Sequence, residues 1–226
     1  MNDKYESLTR DKYKDTNVAK AYRAQHQDSN TWAKFTMTRE LSFVDKGLSY
    51  YTTSKKDYLL DIPCGTGVAG SILSKHQSNV IAADISYEMM LEASEEYNPV
   101  SFTGFVQSDI TKIPLDDNFV RGSIVLGFMH RVPDHVKKDA MDELYRVSQD
   151  FSIVSFTVDS FAYRLKKTLL RIVKPGHSNA PAPMRIDSIR NLIVSAGFNV
   201  DNELMVAPFL SGETVFWLSS NKSKRG

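Results

Sequence analysis

Short runs of apolar and β-branched residues recur along the chain, and they predict β-strands. Side chains in a strand alternate between its two faces, and a strand that is buried on both faces reads as an almost continuous apolar run. On this basis we expect seven strands, over residues 58–62, 79–85, 102–107, 119–127, 151–158, 199–206 and 214–219.

Apolar residues spaced three and four apart predict helices around these strands. The expected helices span residues 17–25, 31–51, 68–74, 86–97, 134–148, 160–174 and 186–196. Ser86 is the expected N-cap of its helix, with Glu88 in the first turn, and Gly197 is the expected C′ residue of the last helix. The second helix is expected to bury one stripe of side chains, formed by Met37, Leu41, Val44, Leu48 and Tyr51.

The order of the elements indicates the fold class. Strands alternate with helices from residue 58 to residue 158, which is typical of right-handed βαβ units and a parallel sheet. The short link over residues 208–212 suits an antiparallel hairpin, because a parallel crossover needs a longer connection. We therefore expect an α/β protein with a Rossmann-like, seven-stranded, mostly parallel sheet, an antiparallel C-terminal strand pair and helices on both faces.

The pattern divides this single domain into four parts. An N-terminal helical cap is expected over 1–55, a Rossmann-like cofactor-binding core over 56–158 and a cap or lid insertion over 159–185. Residues 186–226 are expected to complete the sheet with a helix and a strand pair. The predicted helix 160–174 is basic on one face, which is typical of a solvated surface or of a cap that recognises an anionic acceptor.

Composition and charge limit the partners. The 226 residues have a net charge of +1, so the strongly basic domain of a nucleic-acid-binding protein is not expected. The N-terminus does not resemble a signal peptide, and no apolar run is long enough for a membrane helix, which favours a cytoplasmic protein. Cys64 is the single cysteine, and the histidines lack ligand spacing, so neither a disulfide nor a metal site is expected.

A glycine-rich loop follows the first expected strand. Residues 65–70 match the pattern G-x-G-x-x-G, in which glycines permit a tight turn and a close approach of the backbone to a ligand. Asp84 ends the second expected strand, where a carboxylate can accept hydrogen bonds from both hydroxyls of a ribose. These features are common to sites for nicotinamide, flavin and adenosylmethionine.

Three features favour adenosylmethionine. Asp61 lies just before the loop, where a carboxylate suits the cationic amino group of a methionine moiety better than a pyrophosphate. Asp109 follows the third expected strand and can accept a hydrogen bond from an adenine amino group. The antiparallel C-terminal strand pair is foreign to the usual six-stranded dinucleotide domain.

The motifs Asp61-x-x-Cys64-Gly65-Thr66-Gly67 and Asp84-Ile85-Ser86-x-x-Met89, with Asp109-Ile110 and the strand 123–127, resemble the class I S-adenosylmethionine-dependent methyltransferases. The sequence is most similar to the small-molecule branch that includes the ubiquinone- and menaquinone-biosynthesis enzymes. Many relatives have glycine where this chain has Pro63. The resemblance implies fifteen cofactor-binding residues: Asp61, Pro63, Cys64, Gly65, Thr66, Gly67, Asp84, Ile85, Met89, Asp109, Ile110, Leu126 and Gly127, with Tyr22 and Arg23 from a lid.

Within this set, the resemblance implies a role for each part. Asp61 and the loop glycines would surround the methionine moiety, and Asp84 would hold the ribose. Leu126 and Gly127 would line the sulfonium side. The adenine would lie among Ile85, Met89, Asp109 and Ile110.

Methyl transfer from a sulfonium requires alignment of the reacting atoms and exclusion of water, and it requires a base only if the nucleophile carries a proton. His130 follows the fourth expected strand and is the candidate base, with a structural role as the alternative. Arg131 is a candidate for binding a carboxylate or phosphate of the acceptor, or else for a salt bridge to Asp134. Cys64 has no evident partner base, so we interpret it as a small space-filling residue.

The sequence thus predicts a small-molecule methyltransferase that uses S-adenosylmethionine and releases S-adenosylhomocysteine. The acceptor is a small molecule, with an anionic one as a candidate, and the protein is a monomer or homodimer. The alternatives are an NAD(P)-dependent oxidoreductase that uses the same loop and a non-catalytic adenosylmethionine-binding protein. An RNA methyltransferase is disfavoured by the near-neutral charge.

Overall fold

A computed structural model describes residues 21, 32–76, 78–97, 99, 101–159, 164, 183–208 and 210–224. The expected helices at 17–25 and 160–174, the lid residues Tyr22 and Arg23, and the loop at 175–182 lie outside these residues, apart from residues 21 and 164. The helices are α1 (Trp32–Tyr50), α2 (Gly70–Lys75), α3 (Tyr87–Ala93), α4 (Asp134–Val147) and α5 (Ile186–Ser195). The strands are β1 (Tyr58–Asp61), β2 (Asn79–Asp84), β3 (Phe102–Gln107), β4 (Val120–Val125), β5 (Ser148–Thr157), β6 (Phe198–Met205) and β7 (Glu213–Ser220).

The seven strands form one sheet in the order β3-β2-β1-β4-β5-β7-β6. Strands β1 to β5 are parallel to their neighbours, and β7 lies antiparallel between β5 and β6. Two apolar clusters flank the sheet: one includes side chains of α4 and α5, and the other includes side chains of α1, α2 and α3. The expected α/β class, the mostly parallel sheet and the antiparallel C-terminal pair are confirmed.

Helix α1 buries a different stripe from the one that the sequence predicts. Its buried residues are Thr36, Glu40, Phe43, Val44, Gly47 and Leu48. Val44 and Leu48 are buried as expected, whereas Met37, Leu41 and Tyr51 are only half-buried. The helix turns this face inward because Gly47 lies against β5 and β7: a Cβ there would come within 2.9 Å of Trp217 Nε1. The rotation places the polar side chain of Glu40 inside the protein.

Local signals at the helix ends agree with the sequence. Ser86 caps α3, and its hydroxyl accepts a hydrogen bond from the backbone N–H of Met89 at 3.1 Å. Gly197 follows α5 with φ +103°, as expected of a C′ residue. Helix α3 is shorter than predicted, because the N–H groups of Ser94 and Glu96 bond to carbonyls three residues back and close a turn after Ala93.

The topology brings the functional residues to one edge of the sheet. The carboxyl ends of β1 to β5 meet there, and β7 begins at the same edge because it runs antiparallel to β5. The strand order reverses between β1 and β4, which is the position where ligands bind in open α/β sheets. Within the described ranges, no helix is long and apolar enough to cross a membrane.

Candidate functional site

The glycine-rich loop connects β1 to α2 through a series of tight turns. The N–H of Gly67 donates to the carbonyl of Cys64 at 2.9 Å, and the N–H of Gly70 donates to the carbonyl of Gly67 at 2.8 Å. The N–H of Cys64 bonds to Ala83 on β2, which fixes the loop to the sheet. Within the loop, the Ile62–Pro63 peptide bond is cis and Thr66 is buried.

The two loop glycines have different surroundings. Both adopt left-handed backbone conformations, with φ +52° at Gly65 and +79° at Gly67. A Cβ at Gly67 would lie 2.9 Å from Cβ of Glu96 and 3.1 Å from Cα of Ala93, so this glycine lets the loop pack against the end of α3. A Cβ at Gly65 would meet nothing within 4 Å. The backbone of Gly65 is therefore open to a ligand.

Asp84 joins the loop to the end of β2. Its Oδ2 accepts a hydrogen bond from the N–H of Gly65 at 2.9 Å, and its Oδ1 accepts one from the N–H of Ser86 at 2.9 Å. The side chain is only 5% exposed, and burial raises the pKa of its carboxyl, with the backbone hydrogen bonds opposing the shift. Each carboxylate oxygen keeps a further lone pair with which to accept a hydrogen bond.

Asp61 is the second buried carboxyl at this edge. It is 2% exposed, and its Oδ2 accepts a hydrogen bond from the hydroxyl of Tyr97 at 2.6 Å. Burial raises the pKa of Asp61 to about 7, the Tyr97 hydrogen bond opposes this, and the nearby Asp84 raises the pKa further. In the described part of the chain, neither carboxyl forms an ion pair. The pair creates a negative potential that favours a cationic ligand.

Sequence reasoning missed the role of Tyr97, which it placed only at the end of a helix. The ring stacks on Phe102 with centroids 4.9 Å apart, and the hydroxyl reaches Asp61. Cys64 lies beside the same group, is buried, and has a pKa well above the usual value because of burial and because of Asp61 and Asp84. A protonated, buried thiol is a poor nucleophile, which supports the space-filling interpretation.

The residues expected to hold an adenine gather at the ends of β2 and β3. The side chains of Met89 and Ile110 are buried, and Ile85 and Asp109 are half-buried. Strand β3 is joined to β2 by a hydrogen bond from the N–H of Ser108 to the carbonyl of Asp84 at 2.9 Å. The Oδ1 of Asp109 accepts hydrogen bonds from the backbone N–H and the hydroxyl of Thr111, both at 2.9 Å.

The loop after β4 carries the candidate catalytic residues. Leu126 and Gly127 are half-buried, and the N–H of Gly127 donates to Oγ of Ser155 on β5 at 2.9 Å. His130 and Arg131 follow in a short 3₁₀ helix, and Nε of Arg131 lies 3.3 Å from Nε2 of His130.

The surroundings of His130 determine its charge state. Burial, Arg131 and Lys137 lower the pKa of His130 to about 4, so its ring is neutral near pH 7. Lys137 forms an ion pair with Asp134, with Nζ and Oδ1 2.7 Å apart. The alternative role for Arg131 was a salt bridge to Asp134, and this carboxyl already has Lys137 as a partner.

Two acidic residues that sequence reasoning missed lie beside this loop. Glu40 on α1 is 6% exposed and forms a hydrogen bond with Ser155, and its Oε1 has no hydrogen-bond partner among the residues that the structure describes. Glu213 opens β7 opposite Thr157 and is half-buried, and burial raises the pKa of its carboxyl. Arg131 lowers the pKa of both carboxyls. A signal for Glu40 was present, since it lies four residues before Val44 and eight before Leu48 on one helical face.

Solved structures of methyltransferases share this fold. One is the magnesium protoporphyrin IX methyltransferase of Synechocystis PCC 6803 with bound S-adenosylhomocysteine, which is 18% identical with a TM-score of 0.80 over 96% of this chain and 100% of that one. Another is the 1,6-didemethyltoxoflavin-N1-methyltransferase of Burkholderia thailandensis, 14% identical with a TM-score of 0.68 over 96% and 89% of the two chains. These likenesses establish the Rossmann-like fold of class I methyltransferases.

Sequence comparison narrows the class. Residues 59–150 match the family model described as a methyltransferase domain. The malonyl-[acyl-carrier protein] O-methyltransferase of Marinomonas sp. (strain MWYL1) is 28% identical over 145 residues, which are 62% of this chain and 50% of that protein. The match therefore spans about half the length of that relative. The expected resemblance to class I S-adenosylmethionine-dependent methyltransferases is confirmed.

Proposed function

We propose that the chain binds S-adenosylmethionine at the loop after β1 and transfers its methyl group to a small-molecule acceptor, releasing S-adenosylhomocysteine. The observation that carries this proposal is the pair of buried carboxyls, Asp61 and Asp84, beside the open backbone of Gly65. S-adenosylmethionine brings an ammonium and a sulfonium to such a site. A dinucleotide would bring an anionic pyrophosphate to the loop, which Asp61 disfavours, whereas Asp84 suits the ribose of either ligand.

The described residues fit the methyl donor in the way that the resemblance implies. Asp61 and the loop glycines, with Pro63, Cys64 and Thr66 shaping the loop, would surround the methionine moiety. Asp84 would accept hydrogen bonds from the ribose hydroxyls. Leu126 and Gly127 would line the sulfonium side. The adenine would lie among Ile85, Met89, Asp109 and Ile110.

The protein's part in the chemistry is to position the reactants and exclude water, because the sulfonium already supplies a good leaving group. The loop after β4 lies between the donor side and the acidic pair of Glu40 and Glu213. His130 was the candidate base from the sequence, and its neutral ring can accept a proton, although a pKa of about 4 makes it a weak base. Arg131 would bind a polar group of the acceptor.

The acceptor class follows from the domain and its relatives. The similar proteins act, by their names, on a porphyrin, on a toxoflavin precursor and on a malonyl-carrier conjugate. We propose that the N-terminal cap over 1–55, including Tyr22 and Arg23, and the insertion over 159–185 cover a small acceptor. We further propose a cytoplasmic monomer or homodimer that does not bind nucleic acid.

Thermal unfolding with added ligands tests this function. S-adenosylhomocysteine should raise the melting temperature, and NAD and NADP should not, because only a ligand that binds the folded state stabilises it. Transfer of a labelled methyl group to an acceptor then separates an enzyme from a non-catalytic binding protein. Stabilisation by NAD or NADP alone would favour the oxidoreductase.

A further inference from the structure

Glu40 lies in an unusual position for a carboxyl. It sits on the buried face of α1, among residues that are otherwise small or apolar, and it is 6% exposed. Its Oε1 is buried and has no hydrogen-bond partner within the described part of the chain. A buried polar atom of this kind costs free energy, and a carboxyl costs more than a neutral group. An apolar side chain would serve the packing of α1 better.

The groups around Glu40 place it beside the end of β4. Ser155 on β5 forms a hydrogen bond with the Glu40 carboxyl, and the Ser155 hydroxyl oxygen accepts the N–H of Gly127 at 2.9 Å. Because that oxygen accepts from Gly127, its own O–H is free to donate to Glu40. Two successive hydrogen bonds thus connect Glu40 to the residue proposed to line the sulfonium side of the methyl donor.

The charged groups that face Glu40 come from two further elements. Glu213 opens β7 and raises the pKa of the Glu40 carboxyl, and Arg131 from the loop after β4 lowers it. The described part of this region therefore contains the carboxyls of Glu40 and Glu213, the guanidinium of Arg131 and the neutral ring of His130, with the ion pair of Lys137 and Asp134 beside that ring. It has no excess of positive charge with which to bind an anion.

We infer that Oε1 of Glu40 binds an O–H or N–H group of the methyl acceptor and takes its proton when the methyl group is transferred. This inference rests on the proposed function. A bond forms between the acceptor oxygen or nitrogen and the methyl carbon, and the bond between that carbon and the sulfur breaks with its electron pair remaining on sulfur. The acceptor proton passes to the Glu40 carboxylate, which becomes a carboxylic acid and later releases the proton to solvent.

The protonation behaviour of Glu40 is consistent with this role. Burial and Glu213 raise its pKa to about 8, whereas the pKa of His130 is lowered to about 4. A base works best when its pKa lies near the working pH, so Glu40 suits the task better than His130.

The acceptor class is a neutral or cationic molecule with a hydroxyl or amine. This differs from the anionic acceptor that the basic segment at 160–174 suggested.

The first experiment measures binding of S-adenosylhomocysteine to the wild type, to Glu40→Gln and to the control Glu203→Gln. Glu203 on β6 is a suitable control because its carboxylate forms an ion pair with Arg190 on α5. We expect all three affinities to agree within about twofold. If the wild type does not bind S-adenosylhomocysteine, the proposed function fails. The probe titrations of the second experiment use the free protein, so they still decide whether Glu40 binds an O–H or N–H group.

The second experiment titrates three probes into each protein: catechol, benzylamine and benzoate. We expect catechol or benzylamine to bind at least about tenfold more weakly to Glu40→Gln than to the wild type and the control. With labelled methyl donor, transfer to that probe should fall at least about 100-fold, and its rise with pH centred near 8 should disappear. A preference for benzoate, or equal behaviour of wild type and Glu40→Gln with every probe, would overturn the inference.

Urea unfolding distinguishes this role from a structural one. The folded pKa of Glu40, about 8, lies above its ordinary value of 4.5, so the folded protein loses stability as the pH rises from about 4.5 to 8. The free energy of unfolding of Glu40→Gln, measured relative to that of the wild type, should therefore be higher at pH 9 than at pH 5. A variant that is much less stable than the wild type at both pH values would indicate that Glu40 supports the fold. Glu40→Asp, which keeps the carboxyl, should retain part of the transfer activity.

Discussion

The backbone N–H of Gly65 donates a hydrogen bond to Oδ2 of Asp84 at 2.9 Å. This contact joins the loop after β1 to the end of β2, two segments separated by α2. It sets the distance between the carboxyl proposed to hold the ribose and the open backbone proposed to face the methionine moiety. Together with the hydrogen bond from the N–H of Cys64 to the carbonyl of Ala83, it positions the two parts of the proposed donor site.

Replacement of Asp84 by Ala tests this arrangement. The change removes the acceptor for the Gly65 N–H and for the ribose hydroxyls, so S-adenosylhomocysteine should bind more weakly by roughly 1–3 kcal/mol. Calorimetric titration measures the loss. Asp116→Ala, at an exposed carboxyl in the loop before β4, should bind like the wild type. Unchanged affinity in Asp84→Ala would show that Asp84 does not contact the donor.

The two loop glycines should respond differently to Ala. Both positions have positive φ, so each substitution costs roughly 1–2 kcal/mol of stability. Gly67→Ala should cost more, because its methyl would press on Ala93 and Glu96. Gly65→Ala has room in the fold, and it should mainly lower the affinity for S-adenosylhomocysteine. Urea unfolding and ligand titration of both variants separate the effects, and equal losses of affinity would contradict the prediction.

Donor binding should depend on pH through Asp61. Its pKa is raised to about 7, so the carboxyl is mostly protonated below that value and ionised above it. A cationic ammonium favours the ionised form, so affinity for S-adenosylhomocysteine should rise up to about tenfold per unit as the pH increases toward 7 and then level off. Asp61→Asn should remove this dependence. A pH-independent affinity in the wild type would show that Asp61 does not titrate on binding.

His130→Ala separates two candidate proton acceptors. If Glu40 takes the proton, turnover in His130→Ala should fall less than about tenfold, and the rise of activity centred near pH 8 should remain. If His130 takes the proton, turnover should fall by about 100-fold or more while donor affinity is retained. Initial rates from pH 6 to 9 distinguish the two results.

The sequence predicted the sheet and the tight turns of the loop after β1 well, because both depend on local signals. Apolar runs marked each strand, Ser86 marked the start of α3, and Gly197 marked the end of α5. The short link before β7 was enough to predict the antiparallel pair. These features follow from backbone hydrogen bonding and turn geometry, which nearby residues determine.

The residues that the sequence missed depend on contacts between distant elements. The inward face of α1, which carries Glu40, is set by the approach of Gly47 to Trp217, a contact between residues that are far apart in the chain. Tyr97 reaches Asp61 only because the turn after α3 folds back over the loop. The charge state of His130 depends on burial and on Lys137, neither of which a sequence pattern reveals.

Calorimetric titration of the wild-type protein at pH 7.5 with S-adenosylhomocysteine and, separately, with NAD tests the central claim most directly. The buried carboxyls Asp61 and Asp84 predict saturable binding of S-adenosylhomocysteine, one molecule to one site. Asp61, just before the loop, predicts no measurable binding of NAD, because it would repel the pyrophosphate. Binding of NAD without binding of S-adenosylhomocysteine would contradict the proposed function.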